Sequence, residues 1–358
     1  MNAILLIRAD ANLQIGTGHV MRCLALAQAW QDAGGQVVFA IAAESPSLEA
    51  RLQTEGIEVT HLSAPPGSID DAIQTMNLGR ERSVDWILLD GYHFGTGYQR
   101  MVSSGPRLLV FDDYGHAEHY YADVVLNQNL YANENFYTNR EPHTRLLLGT
   151  RYVLLRREFS KWRGWRREIP EVARKVLVTL GGSDPDNVTF HVIQALQGVK
   201  LDDLEVVVAV GGNNPNDEDL QSAIRGSRSS IRMEKNVTNM PEVMAWADMA
   251  VSAAGSTSWE LAFMGLPAMI LILAENQKKG AQLLAEKKVF LGLGYARDVE
   301  VQDIARVFTN LSLNRAMRQN LSGNGTSLVD GLGVHRVMQG LSEIGPKGRE
   351  GRDCLARH

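Results

Sequence analysis

Uninterrupted apolar runs recur along almost the whole chain, with helical patterns between them. AILLIR, QVVFAIA, IEVTHL, DWILLD, RLLVFDD, ADVVLN and TRLLLG follow one another in the first half. A strand with one wet face alternates polar and apolar residues. Runs without that alternation are covered on both faces, the condition of a parallel sheet layered between helices. The pattern pauses at the basic, aromatic stretch RREFSKWRGWRREIPEVARK and restarts at KVLVTLGG, followed by LEVVVAVGG, SIRMEKNV, MAVSAAG and PAMILIL. The expectation is an α/β chain of two Rossmann-like halves, residues 1–155 and 176–344, with a linker at 156–175 and a frayed tail at 345–358. Ligands in such sheets sit beyond the carboxyl ends of the strands, so the two halves are expected to share one central cleft.

The length of 358 residues agrees with two domains. A formal net charge of -5 argues against a nucleic-acid partner. Cys23 and Cys354 fit no disulfide or metal spacing, which points to a reducing compartment. The apolar start AILLI is followed at once by Arg8 and is too short for a leader or a membrane span. A cytoplasmic protein without stable membrane insertion is expected; the oligomeric state is not legible.

The first half carries IGTGHVMRCLALAQAW, a glycine turn running into a histidine and then an alanine-rich helix. Gly16 and Gly18 permit positive φ and close backbone approach, as a phosphate-holding strand–helix turn requires. A third dinucleotide-fingerprint glycine would fall at Met21, and no Gly-Lys-Ser/Thr follows, so the loop fits neither NAD nor a P-loop. The positive end of the helix dipole disfavours a charged ring at His19, whose pKa is expected to fall, suiting it to act as a general base. The alternative is that His19 caps the helix.

In the second half, LVTLGGSDPDN places Gly181, Gly182 and Ser183 after a strand as a second anion-binding turn or a plain one, with Ser183 or Asp184 available as a helix cap. In VSAAGSTSWELAFMG, Ser256 and Thr257 stand where a helix begins and offer hydroxyls and backbone amides to a diphosphate. Glu260 lies one turn on, able to accept hydrogen bonds from vicinal ribose hydroxyls or to form a capping box with Thr257. His116 and His119 show a spacing that ligates metal on a helix, but without a third ligand a solvent-exposed or substrate-edge place is expected. KWRGWRR is read as a solvated linker with locally packed aromatics, against a membrane-touching alternative.

RADANLQIGTGHVMRCLALA, FDDYGHAEHYYADVVLNQNLYA and GGSDPDN together resemble the family of UDP-sugar hydrolases of pseudaminic acid biosynthesis and spore-coat polysaccharide proteins. The stretch Asn239–Gln277 resembles the nucleotide-binding signature of the wider B-type glycosyltransferase fold. The resemblance implies a metal-independent hydrolase, with no cofactor, acting on a UDP-linked 2,4-diacetamido-2,4,6-trideoxy sugar. It implies His19 as base, Asn276 near the reacting sugar, and Glu260 on the ribose. Phosphate contacts would come from Gly16, Thr17, Gly18, Gly182, Ser183, Ser256 and Thr257. Tyr92, Asp113 and Gln277 would face the sugar, although DGYHF departs from the family's Asp-His-Tyr order. Asp10 is expected either to orient His19 or a sugar hydroxyl, or to bond loop amides. Adjacent Asp112 and Asp113 would point apart on a continued strand, so no required metal is expected. A glycosyltransferase using a UDP-sugar donor, a hydrolysing UDP-N-acetylglucosamine 2-epimerase and a non-catalytic nucleotide-sugar binder are the rival readings.

Overall fold

A computed structural model describes residues 3–11, 17–212, 214–227 and 230–345. The seven apolar runs of the first half are seven strands: β1 Ile4–Ala9, β2 Gln36–Ile41, β3 Glu58–His61, β4 Trp86–Asp90, β5 Arg107–Phe111, β6 Val124–Asn127 and β7 Arg145–Leu148. They form one sheet in the order β3-β2-β1-β4-β5-β6-β7, parallel throughout. The second half forms a six-stranded parallel sheet from β8 Lys175–Thr179, β9 Glu205–Val210, β10 Ser230–Lys235, β11 Met249–Ala253, β12 Ala268–Ile272 and β13 Leu291–Tyr295. Its order is β10-β9-β8-β11-β12-β13. The chain reverses direction across each sheet, between β1 and β4 and between β8 and β11, and those crevices are where ligands enter such folds.

Both faces of each sheet are covered, as the runs require. Leu5, Ile7 and Ala9 of β1 pack into one core while Leu6 packs into the core on the other face. Leu177 and Val176 of β8 divide in the same way. Period-two side-chain direction sends alternate residues of an all-apolar strand to opposite cores.

Two elements differ from expectation. β13 is an added edge strand whose sequence, LGLGY, reads as a glycine-rich loop. The helix Gly333–Ile344, expected in the second half, crosses back and buries Val337 and Leu341 in the first half's core. Gly333 is required there, because a Cβ would collide with the Val153 carbonyl. Gly345 ends the description, and the rest of the expected tail lies outside the described residues.

Candidate active site

A cleft of about 1000 Å³ runs between the carboxyl ends of the two sheets and is lined from both halves. The helix Gly18–Asp32 begins at its floor, putting His19 on the first turn and Arg22 three residues on, on the same face. His19 does not cap the helix; its Nδ1 lies 2.6 Å from Oδ1 of Asp90, the last residue of β4. An ionised carboxylate only accepts, so this contact places the imidazole proton on Nδ1 and leaves the Nε2 lone pair. The Tyr92 ring meets His19 edge to face, with centroids 5.1 Å apart.

Asp90 is itself fixed. Arg22 donates to it through Nε at 2.6 Å and a terminal nitrogen at 2.7 Å, and Cys23 Sγ lies 3.3 Å from Oδ2. Burial pushes the Asp90 carboxyl up, but the Arg22 guanidinium and His19 outweigh it and hold the group well below the usual carboxylate range. Arg22 also bridges to Asp113 at 2.8 Å, and Asp113 accepts from Tyr92 OH at 2.7 Å and Asn129 at 2.6 Å. A carboxylate has about four acceptor positions. Arg22 contributes a second contact at 3.2 Å, so Asp113 is saturated. Asp113 lines the cleft, but its carboxylate is occupied in anchoring Arg22, Tyr92 and Asn129, which leaves it little acceptor capacity for a sugar.

Asp10 does not orient His19. Its Oδ1 accepts from Ala42 N–H at 2.7 Å and Ala43 N–H at 3.2 Å, and its Oδ2 lies 2.7 Å from buried Arg8. Asp90 occupies the orienting place instead, because β4 is the strand beside β1 in the sheet. Asp112 and Asp113 point apart: Asp112 accepts from the amides of Tyr114 and Gly115 and pairs with His116. His116 is therefore buried and structural, not exposed, in a loop rather than a helix. Among the described residues no three His, Cys, Asp or Glu side chains are arranged to hold a metal ion.

The second half supplies the cleft's other wall. Gly182 and Ser183 follow β8, Ser256 to Glu260 follow β11, and Asn276 and Gln277 follow β12; all line the cleft. The two glycine loops meet, since a Cβ on Gly182 would collide with Thr17 Oγ1 and one on Gly18 would stand 3.2 Å from Ser256 Oγ. Asp184 accepts from Val188 N–H and Thr189 N–H at 2.9 and 2.8 Å, so the first amides of the helix Val188–Gln197 are already used. Only the loop itself remains for an anion there. The capping box between Thr257 and Glu260 does not form; Glu260 Oε1 accepts from Arg156 at 2.9 and 3.2 Å, and Oε2 takes no part in either bond. Burial raises the Glu260 carboxyl in spite of Arg156. Asn276 reaches across the cleft toward Tyr92 OH, at 3.5 Å. Gln277 spends its carbonyl on Leu273 N–H at 2.9 Å, which limits it to its amide for any sugar contact. Gly16 lies outside the described residues.

Three site residues escaped the sequence reading: Arg22, Asp90 and Arg156. Arg22 is separated from His19 by a single turn and Asp90 ends a buried strand, and those positions were the available signals. Arg156 sits in the segment read as a linker, yet is buried and joins Glu260 to Glu158, which is 3.0 Å away. The remainder of that segment is packed rather than solvated at Arg167, which donates to the carbonyls of Met244, Ala247 and Met264.

Two facing parallel-sheet domains with one cleft define the B-type glycosyltransferase fold. The crystal structure of Acinetobacter baumannii MurG superposes with a TM-score of 0.65 at 17% identity, covering 95% of this chain and 99% of that one. Residues 176–326 match the glycosyltransferase family 28 C-terminal domain. The chain is also similar to curated proteins across both halves. It is 26% identical over 244 residues to the spore coat polysaccharide biosynthesis protein SpsG of Bacillus subtilis, 68% of this chain and 71% of that protein. To the UDP-2,4-diacetamido-2,4,6-trideoxy-beta-L-altropyranose hydrolase of Campylobacter jejuni it is 25% identical over 287 residues, 79% of this chain and 96% of that enzyme. The resemblance carried by the N-terminal motif thus extends over most of the chain.

Proposed function

We propose that this chain hydrolyses a UDP-linked 2,4-diacetamido-2,4,6-trideoxy sugar, releasing UDP and the free sugar, as a step in making an acidic nonulosonic sugar of the pseudaminic type. The observation that carries the reading is the His19–Asp90 pair, set at the floor of a cleft whose opposite wall presents the Gly182 loop, Ser256, Thr257 and Glu260. Similarity to the named hydrolase supports the choice of substrate.

In this mechanism His19 Nε2 takes a proton from water as the water oxygen attacks the anomeric carbon. The bond from that carbon to the UDP oxygen breaks, its electron pair leaves with UDP, and configuration inverts. Asp90 keeps the proton on Nδ1 and faces the imidazolium as it forms, the general-base arrangement of a histidine with a carboxylate behind it. Glu260 holds the ribose through Oε2 while Arg156 keeps Oε1. Loop amides near Gly182 and those of Ser256 and Thr257 receive the departing diphosphate. Asn276 and Tyr92, meeting from opposite walls, position the sugar.

The test is incubation with the UDP-sugar in ¹⁸O-labelled water, with no acceptor and with EDTA, comparing wild type with His19→Asn. The expected result is UDP release, label on the sugar and loss of about 10²–10⁴-fold in kcat in the variant. Release only when an acceptor is supplied overturns hydrolysis in favour of transfer, the reading that the family 28 match of residues 176–326 also supports. Release insensitive to His19 overturns the assigned base.

A further inference from the structure

The cleft contains a second histidine that the proposed chemistry leaves unused. His93 follows Tyr92 in the loop leaving β4, with its ring packed on Phe94 at 4.1 Å between centroids and folded against Gly91. A Cβ at Gly91 would stand 2.8 Å from the His93 ring, so the glycine is what admits this ring position. Among the described residues His93 Nε2 is buried without a hydrogen-bond partner, and it lies 3.5 Å from Asp10 Oδ2. Asp10 Oδ2 likewise makes no hydrogen bond among them; Arg8 lies 2.7 Å away and opposes its charge as an ion pair. Both residues line the cleft.

Asp10 is not free to swing toward His93. The Ala42 and Ala43 amides hold its other oxygen, and Arg8 is locked by Asp71 through two contacts of 2.9 Å. The buried His93 nitrogen carries a desolvation cost that a ligand group can remove, and Asp10 Oδ2, ion-paired with Arg8, keeps acceptor capacity for a donor. An atom 2.8 Å from each of two atoms 3.5 Å apart is an allowed geometry, so one group that both donates and accepts satisfies the pair together. Hydroxyl and N-acyl substituents of a sugar have that chemistry; the diphosphate of a nucleotide sugar, which has no P–OH to donate, faces the Asp10 charge and is excluded.

We infer that His93 and Asp10 form a subsite for a hydroxyl or acylamino substituent of the sugar ring, and that His93 is a specificity-determining residue of the cleft. The inference deepens the proposed function and rests on its assignment of a UDP-sugar ligand. It places recognition of the substituent on His93 and Asp10 rather than on His19 and Asp90, so the reacting carbon and the recognised substituent are held by separate groups.

The test uses the His19→Asn protein, in which turnover is expected to be slowed about 10²–10⁴-fold, and titrates it calorimetrically with UDP and with UDP-2,4-diacetamido-2,4,6-trideoxy-β-L-altrose. The sugar is expected to tighten binding relative to UDP alone. His93→Leu in that background is expected to lose about 10-fold of this sugar-dependent gain, one hydrogen bond's worth, with UDP affinity unchanged. His93→Gln, which keeps a donor, is expected to retain most of it. The subsite is overturned if the gain survives in His93→Leu, if no gain exists to lose, or if His93→Leu weakens UDP and the UDP-sugar equally. Failure of the hydrolase reading shows elsewhere, as intact His93-dependent binding with no UDP released by wild type in water.

Discussion

Asp90 is the side chain on which the His19 geometry depends, and its replacement separates chemistry from binding. Asp90→Asn keeps the shape but removes the charge that fixes Nδ1–H and faces the imidazolium. The expected outcome is a kcat lower by about 10²–10⁴-fold with UDP affinity unchanged, read from steady-state UDP release beside UDP calorimetry. Asp10 makes a different prediction, on stability. Burial raises its carboxyl, yet His93, Arg8 and the Ala42 amide together lower it from the ordinary value to about 2. A depressed carboxylate stabilises the folded state above its unfolded pKa, and that contribution is lost as pH falls through the folded one. About 2 kcal/mol is therefore expected to disappear between roughly pH 4 and pH 2. Asp10→Asn should lower stability at pH 7 and flatten that acid limb, as measured by urea unfolding across the range; an unaltered slope contradicts the assignment. Histidine 19 was legible because a glycine loop precedes it. Asp90 was not, because it lies 71 positions away and meets His19 only once β4 lies beside β1. Asp113 was named, but its contact with Arg22 was not legible for the same reason, the two being 91 positions apart.

At the scale of elements, close approach of backbones is what shapes the cleft wall supplied by the second half. Gly211 follows β9, and a Cβ there would collide with the backbone of Gly182, at Cα and carbonyl alike. Backbone cannot yield as a flexible side chain can, so Gly211→Ala must displace the loop after β8. A stability loss of about 1–3 kcal/mol is expected, together with weaker UDP binding, measured by thermal unfolding and calorimetry on the same protein. An unchanged UDP affinity would show that the Gly182 loop takes no part in holding the nucleotide. Most of strands β1 to β12 were legible because their apolar runs are too continuous for anything but a doubly covered sheet; the edge strands β3 and β10, EVTH and SIRMEK, carry polar residues and were legible from their place in the alternation. β13 was not, since Gly292 and Gly294 alternate with its apolar residues and read as loop chemistry. The capping role of Asp184 was legible as one of two candidates from its place after the glycine pair; that it consumes the helix amides was not, because cap and anion site have one sequence signature.

Across the whole molecule, the two halves are tied at the cleft and again behind it. Arg156 spans from the crossing segment to Glu260, while the helix Gly333–Ile344 returns from the second half to the first. Position along the chain therefore misassigns this helix, since no local pattern states which of two apolar cores receives an amphipathic face. Its buried residues make the assignment testable. Leu341 is 2% exposed in the same core as Leu147, Leu154 and Trp30. Leu341→Ala removes packing that cannot fully collapse, at a cost of about 2–5 kcal/mol. If the helix completes the first half, calorimetry should show the loss in the unfolding of that half. UDP, which the proposed site would bind mainly through the second half, should still raise the second transition by the same amount as in wild type. A helix that instead belonged to the second half would shift the UDP-stabilised transition and leave the other in place. Because this helix anchors the far end of the second half to the sheet that carries His19, the variant is also expected to raise KM for the UDP-sugar more than Kd for UDP, as the two walls lose their fixed spacing.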